Sequence, residues 1–158
     1  MFRDMRRFKQ ALSEEECIEL LKNERRGVMS CFGEDGYPYG MPLDHFYDEE
    51  TGKLYFHGAN QGHKIDAIKN NPKVCYTVFG QDELEEGDWA YYVKSVVIFG
   101  QASLVEDMEK KEYICRKLCS LFPAPDGYAD KEIELDLKRV LCIEISIDHM
   151  TGKRVHEN

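Results

Sequence analysis

Short apolar or alternating runs bounded by turn residues are typical of β-strands, and they recur along this chain. They predict six strands, at residues 28–32, 37–47, 54–58, 74–79, 91–105 and 140–147. The turn at 33–36 predicts a β-hairpin from the first two, and Gly100 is the expected place for a bulge in the fifth. The acidic stretch at 82–88 is expected to be a solvated loop and the segment before Val140 to be irregular, and the tail from His149 onward is polar.

Three segments instead carry helix signals. A capping box at Ser13–Glu16 opens the first, at 14–26, with Gly27 as its left-handed stop. The second runs from 62 to 71 and ends before Pro72, and the third follows a cap at Asp107 and reaches about 122. The expected core face of the third helix consists of Met108, Ile114, Leu118 and Leu121. So few helices argue against repeated βαβ units and favour one mainly β domain over 1–158, an antiparallel barrel with peripheral helices.

Charge and composition exclude several classes of protein. The 158 residues carry a formal net charge of −9, which argues against nonspecific binding of nucleic acid. No run approaches the roughly 18 apolar residues of a membrane span, and the first twelve residues do not resemble a signal sequence, so we expect a cytoplasmic protein. The six cysteines should then be reduced, and Cys115 and Cys119 should be buried on one helix face. No histidine or cysteine spacing predicts a metal site.

Three segments could carry chemistry. The segment 58–64 contains two glycines, a helix start and Lys64, which are the components of an anion site. A plain strand-to-helix connection with a surface lysine is an equal alternative. Pro42 has no amide to donate, so it must lie at a strand edge or interruption, either protecting that edge or freeing backbone groups for a planar ring. Ser95 could donate to an anion or simply face outward from its strand.

The order of these features resembles a known family. The motifs are Met-Arg-Arg at 5–7, Gly-Tyr-Pro-Tyr at 36–39, Met41-Pro42-Leu43, Leu-Tyr-Phe-His at 54–57, Gly-His-Lys-Ile-Asp at 62–66, Ser95-Val96, Gly-Gln-Ala at 100–102 and Thr-Gly-Lys-Arg at 151–154. Together they resemble the pyridoxamine 5′-phosphate oxidase-like FMN-binding split barrels, in the branch of the NimA-type nitroimidazole-resistance reductases. The resemblance implies a Greek-key-like split β-barrel that binds FMN in a groove between two subunits of a homodimer.

The resemblance also implies roles for individual residues. Backbone at Met41, Pro42 and Leu43 would face the isoalloxazine ring, and His57 and Gly58 would flank the ribityl chain. The phosphate would lie at the loop that ends in Gly62 and would be held by Lys64 and by Ser95, next to Val96. His63 would lie near the flavin and is the candidate catalytic residue.

An oxidoreductase is therefore the first expectation, passing electrons from a reduced nicotinamide to a small acceptor such as a nitroaromatic or a quinone. The alternative is a flavin- or heme-binding protein without turnover, for which His57, His63 or His149 could be a heme ligand. Vitamin B6 oxidation is disfavoured. The oxidases proper grip their substrate with an arginine- and tryptophan-bearing C-terminal stretch, whereas the single tryptophan here is Trp89.

Overall fold

The computed structural model describes all 158 residues. Its strands are β1 (Arg26–Phe32), β2 (Pro38–Asp44), β3 (Phe46–Asp48), β4 (Lys53–Ala59), β5 (Lys73–Phe79), β6 (Tyr92–Val105) and β7 (Val140–His156). Its helices are α1 (Glu14–Asn23), α2 (His63–Asn70), α3 (Met108–Cys119) and α4 (Tyr128–Asp136), with a 3₁₀ turn at Phe8–Gln10. None of these helices combines the length and the apolar character that a membrane crossing requires.

All seven strands belong to one antiparallel sheet in the order β2-β1-β5-β6-β7-β4-β3. The two edge strands are consecutive in the chain and are joined through His45 alone, so the sheet curls until its edges meet at that residue. This is the split barrel that the sequence predicts. Its interior holds a core cluster of 19 buried residues, and α3 covers a second cluster of six on the outer face of the sheet.

Buried hydrogen bonds hold the closure point. The His45 ring is 1% exposed, with Nε2 2.7 Å from the Leu21 carbonyl oxygen and Nδ1 2.8 Å from the Tyr76 hydroxyl. Tyr76 also donates to the Leu43 carbonyl at 2.9 Å. Burial lowers the pKa of His45, because the interior disfavours the charged ring. The edges of the barrel are thus fixed by a neutral histidine, for which the sequence alone predicts no role.

Several predicted boundaries were wrong. The first helix ends at Asn23, and Gly27 lies inside β1, where a Cβ would come within 2.5 Å of the Thr77 carbonyl oxygen. Gly27 therefore permits close contact with β5 and does not stop a helix. Met108 opens α3 but is exposed, so it does not belong to that helix's core face.

The C-terminal third differs most from the expectation. The segment before Val140 contains the helix α4, and the expected polar tail is the second half of the 17-residue strand β7. This half pairs with the first half of β6. It is ordered by hydrogen bonds to that neighbouring strand, which the polarity of its own residues does not predict. The bulge expected at Gly100 is present, as a register shift between Phe99 and Gly100.

Candidate functional site

A glycine-rich loop connects the end of β4 to the start of α2. Gly62 precedes the helix with φ at +128°, a conformation that favours glycine. The amides of Ile65 and Asp66 both donate to the Gly62 carbonyl. The two amides before them, those of His63 and Lys64, have no backbone partner. Free amides at a helix N-terminus favour an anion through both hydrogen bonding and the helix dipole.

The ammonium of Lys64 lies against the end of β4. A methyl group built on Gly58 would be 2.9 Å from Lys64 Nζ, so glycine at this position leaves room for the ammonium. The half-buried Lys64 side chain takes part in no salt bridge. Around Gly62, no heavy atom lies within 4 Å of the position that a Cβ would take. An unpaired cation, two free amides and open space together have the chemistry that binds a phosphate group.

His63 lies beside this loop and contacts β2. Its exposed ring stacks on Tyr39, with the ring centroids 4.0 Å apart and the planes 18° from parallel. Three carboxylates, those of Glu34, Asp35 and Asp66, line a recess of about 320 Å³ with it. The imidazole therefore connects the glycine-rich loop to the edge strand β2 and is accessible to a small molecule.

The segment Met41-Pro42-Leu43 lies in β2, at the edge of the sheet, as the missing amide of Pro42 requires. The Met41 side chain is buried in the barrel core, whereas Pro42 is exposed. The Leu43 carbonyl already accepts the hydrogen bond from Tyr76. Backbone groups available to a planar ring are therefore those on the outer edge around Met41 and Pro42.

His57 points away from this site. Along β4, Phe56 belongs to the barrel core and Tyr55 to the cluster under α3, so the side chains alternate between the two faces. His57 shares the face of Tyr55, and Gly58 shares that of Phe56. The His57 ring lines a separate cavity of about 420 Å³ beneath α3 and α4. The structure thus brings Gly58 to Lys64 but does not bring the His57 ring there.

Ser95 and Val96 lie at the other end of the sheet. Gly58 is in register with Leu141, whereas Ser95 is in register with Lys153, twelve residues further along β7. At about 3.3 Å per residue, some 40 Å of strand contour separates the two levels. Val96 is fully buried and offers only its backbone, whereas Ser95 shares the outer face of the sheet with its partner Phe79. One subunit alone does not place Ser95 next to Lys64 along this strand.

Comparison with known families identifies the chain. The profile of the family described as pyridoxamine 5′-phosphate oxidase matches residues 13–154, nearly the whole length. The chain belongs to this family. The match includes the glycine-rich loop before α2, both edge strands and all of α4. No curated protein sequence matches the chain.

Solved structures share the fold. A Bacteroides thetaiotaomicron protein provisionally assigned to 5-nitroimidazole antibiotic resistance superposes with a TM-score of 0.77 at 21% identity, covering 92% of this chain and 87% of its own. A FAD-binding protein from Mesorhizobium loti gives a TM-score of 0.64 at 25% identity, covering 92% of this chain and 96% of its own. A FAD and heme binding protein from Mycobacterium smegmatis gives a TM-score of 0.72 at 18% identity, covering 94% of this chain and 74% of its own.

In this member of the pyridoxamine 5′-phosphate oxidase family, sequence reasoning missed the immediate neighbours of His63. In the sequence Tyr39 belongs only to the Gly-Tyr-Pro-Tyr motif, and Glu34 and Asp35 belong to the turn of the predicted hairpin. The β1–β2 register that directs Tyr39 follows from the predicted hairpin, since Tyr39 lies opposite the buried Cys31. The contact with α2 is tertiary and has no local sequence signal.

Proposed function

We propose that this protein is an FMN-binding oxidoreductase whose cofactor phosphate is held by the loop between Gly58 and Lys64. The observation that carries the proposal is the unpaired Lys64 ammonium beside Gly58, next to the free amides that open α2. Family membership supports a flavin, and so do the FAD-binding relatives from Mesorhizobium loti and Mycobacterium smegmatis. FMN is preferred over FAD because its terminal phosphate dianion matches a donor set with one cation and two amides.

The chain supplies binding and orientation, while a bound flavin would supply two-electron chemistry. The outer edge of β2 around Met41 and Pro42 offers backbone groups to the ring. His63, stacked on Tyr39 and accessible from solvent, is placed to exchange a proton with a small acceptor. The sequence contains no nicotinamide-binding GxGxxG, so the proposed donor, a reduced nicotinamide, would bind transiently. Nitroaromatics and quinones are the proposed acceptors, in keeping with the NimA-type branch.

A two-fold dimer is part of this proposal. The outer face of β1, β5 and β6 exposes aromatic side chains, including Phe32 at 61% and Phe79 at 60%. Exposed apolar surface on a sheet face is typical of a subunit interface. Ser95 lies on the same face. We therefore assign the second phosphate contact to Ser95 of the partner subunit, because Ser95 of the same subunit pairs with Lys153, twelve residues along β7 from the partner of Gly58.

The visible spectrum of the purified protein and a ligand titration test the cofactor assignment. We expect flavin bands, and FMN bound more tightly than riboflavin, which has the same ring but no phosphate. Equal affinities would refute the phosphate site, and heme bands without flavin would favour the heme-binding alternative. Light scattering at micromolar concentration tests the dimer, and a monomer that binds FMN would show that one subunit forms the site.

A further inference from the structure

Two cysteines from distant parts of the sequence meet beneath α3, away from the phosphate loop. Cys115 on α3 and Cys142 on β7 have their sulfur atoms 3.9 Å apart, and both are free thiols. Cys142 is fully buried, and its thiol is 4.0 Å from the Lys111 carbonyl oxygen. The two sulfur atoms are therefore in direct contact, with no residue between them.

The two thiols differ in access. Cys115 lines the cavity of about 420 Å³ under α3 and α4, together with His57 and Cys119. Cys142 does not line that cavity and is 0% exposed. A small oxidant that enters the cavity therefore meets Cys115 first, and Cys142 can react only with a group already attached to Cys115.

The electrostatic surroundings also favour Cys115 as the first reacting thiol. The hydrogen bond from Cys142 lowers the pKa of Cys115, and the positive charge of the largely buried Lys111 acts in the same direction against the effect of burial. Burial raises the pKa of Cys119. Because the thiolate is the nucleophile, Cys119 is the poorer candidate although it lines the same cavity.

We propose that Cys115 and Cys142 form an oxidant-sensitive pair that hydroperoxides convert into an intramolecular disulfide. The Cys115 thiolate attacks one peroxide oxygen, so that an S–O bond forms, the O–O bond breaks, and the leaving oxygen departs as water or an alcohol after taking a proton. The Cys142 thiol then attacks the Cys115 sulfur, its proton leaves with the hydroxyl group as water, and the S–S bond replaces the S–O bond. Two thiols lose two electrons in total, and the peroxide gains them.

The bond would connect α3 directly to the sheet. The two sulfur atoms must approach each other from 3.9 Å to about 2.05 Å, and this approach requires rotation of both cysteine side chains. Cys142 is in register with His57 on β4, so the linkage would form next to the strand that ends at the phosphate loop. The modification site is independent of the proposed flavin chemistry, because the hydroperoxide is added from outside.

Peptide mapping of the unaltered protein tests the proposal. Trypsin separates the three relevant cysteines, placing Cys115 in 112–116, Cys119 in 118–131 and Cys142 in 140–153. After treatment of the reduced protein with one equivalent of hydrogen peroxide, we expect a non-reduced map to link 112–116 with 140–153, and dithiothreitol to reverse the link. A link between 112–116 and 118–131, or oxidation elsewhere with these two thiols intact, would overturn the proposal.

Two variants test the order of the steps. Cys142→Ser should stop at a sulfenic acid on Cys115, which dimedone captures in peptide 112–116. The matched control, Cys119→Ser, removes the other thiol of the same cavity and should form the disulfide at the unaltered rate. A dimedone adduct on Cys119 in place of Cys115, or loss of the disulfide in the Cys119→Ser protein, would contradict the assignment.

Discussion

Replacing Lys64 with alanine tests the proposed phosphate site with little expected effect on the fold. The Lys64 side chain is half-buried and has no salt-bridge partner, so its removal leaves no buried carboxylate uncompensated. A hydrogen bond to a charged group contributes about 1.5–3 kcal/mol. At about 1.4 kcal/mol per factor of ten, Lys64→Ala should weaken FMN binding roughly 10- to 150-fold. Riboflavin, which has no phosphate, should bind almost as before.

Isothermal titration of both ligands into both proteins measures the interaction as a double-mutant cycle. The matched control is Lys69→Ala, which removes the same charge from the last turn of the same helix, where Lys69 is exposed. We expect this control to change FMN affinity less than twofold at 0.15 M salt, because distant exposed charges are screened. If Lys64→Ala weakens FMN and riboflavin equally, Lys64 supports the structure of the loop and does not bind the phosphate.

Three further changes test the roles of other residues. His63→Ala should retain FMN and slow nitroaromatic reduction by about 10²–10⁴-fold in a stopped-flow assay, whereas loss of FMN with normal turnover of the remaining holoenzyme would make His63 a cofactor-packing residue. Gly27→Ala should lower the free energy of unfolding in urea by about 1–3 kcal/mol, because the added methyl meets the Thr77 backbone at 2.5 Å, and a change under 0.5 kcal/mol would contradict that contact. Burial lowers the pKa of His45 in the folded protein. As the pH falls below about 6.5, this ring is therefore protonated in the unfolded chain before it is protonated in the folded protein. Stability should therefore decrease between pH 7.5 and 5.5, and His45→Gln should flatten that slope; an unchanged slope would assign it to other groups.

Local sequence signals predicted the fold well where an element is determined by its own residues. The capping box at Ser13 begins α1 as expected, since both reciprocal hydrogen bonds form within four residues. Gly27 was misread because its contact partner, Thr77, is 50 residues away. The second half of β7 was missed for the same reason, since its polar residues are ordered by pairing with β6. Family resemblance predicted the split barrel, but it did not reveal these nonlocal contacts.

The candidate site shows the same division between local and nonlocal information. The loop from Gly58 to Lys64 could be predicted, because the glycines, the helix start and the lysine are adjacent in the chain. The direction of the His57 ring could also have been derived from strand alternation, since Phe56 and Gly58 face the barrel and Tyr55 does not. What the sequence could not provide is the register of β7, which pairs Gly58 with Leu141 but Ser95 with Lys153, twelve residues further along the strand.

This register separation is the strongest argument for a second subunit in the proposed site. Gly58, which contacts Lys64, and Ser95 pair with positions twelve residues apart on one strand, and Ser95 faces outward beside the exposed Phe79. The Ser95 side chain therefore points to the outer face of the sheet, where the proposed partner subunit would pack. We therefore expect Ser95 to contribute to the FMN site of the partner subunit in the proposed dimer. A Ser95→Glu variant, which places a like charge beside the phosphate, should therefore weaken FMN in the dimer.

Mixed dimers distinguish a site shared between two subunits from a site formed within one subunit. In a heterodimer of one Lys64→Ala subunit and one Ser95→Glu subunit, both changes would fall in the same site, and the other site would be intact. Differently tagged, co-purified heterodimers should then bind one FMN per dimer with the affinity of the unaltered protein. If each subunit instead forms its own site, both sites of the heterodimer carry one change, and no site of unaltered affinity remains.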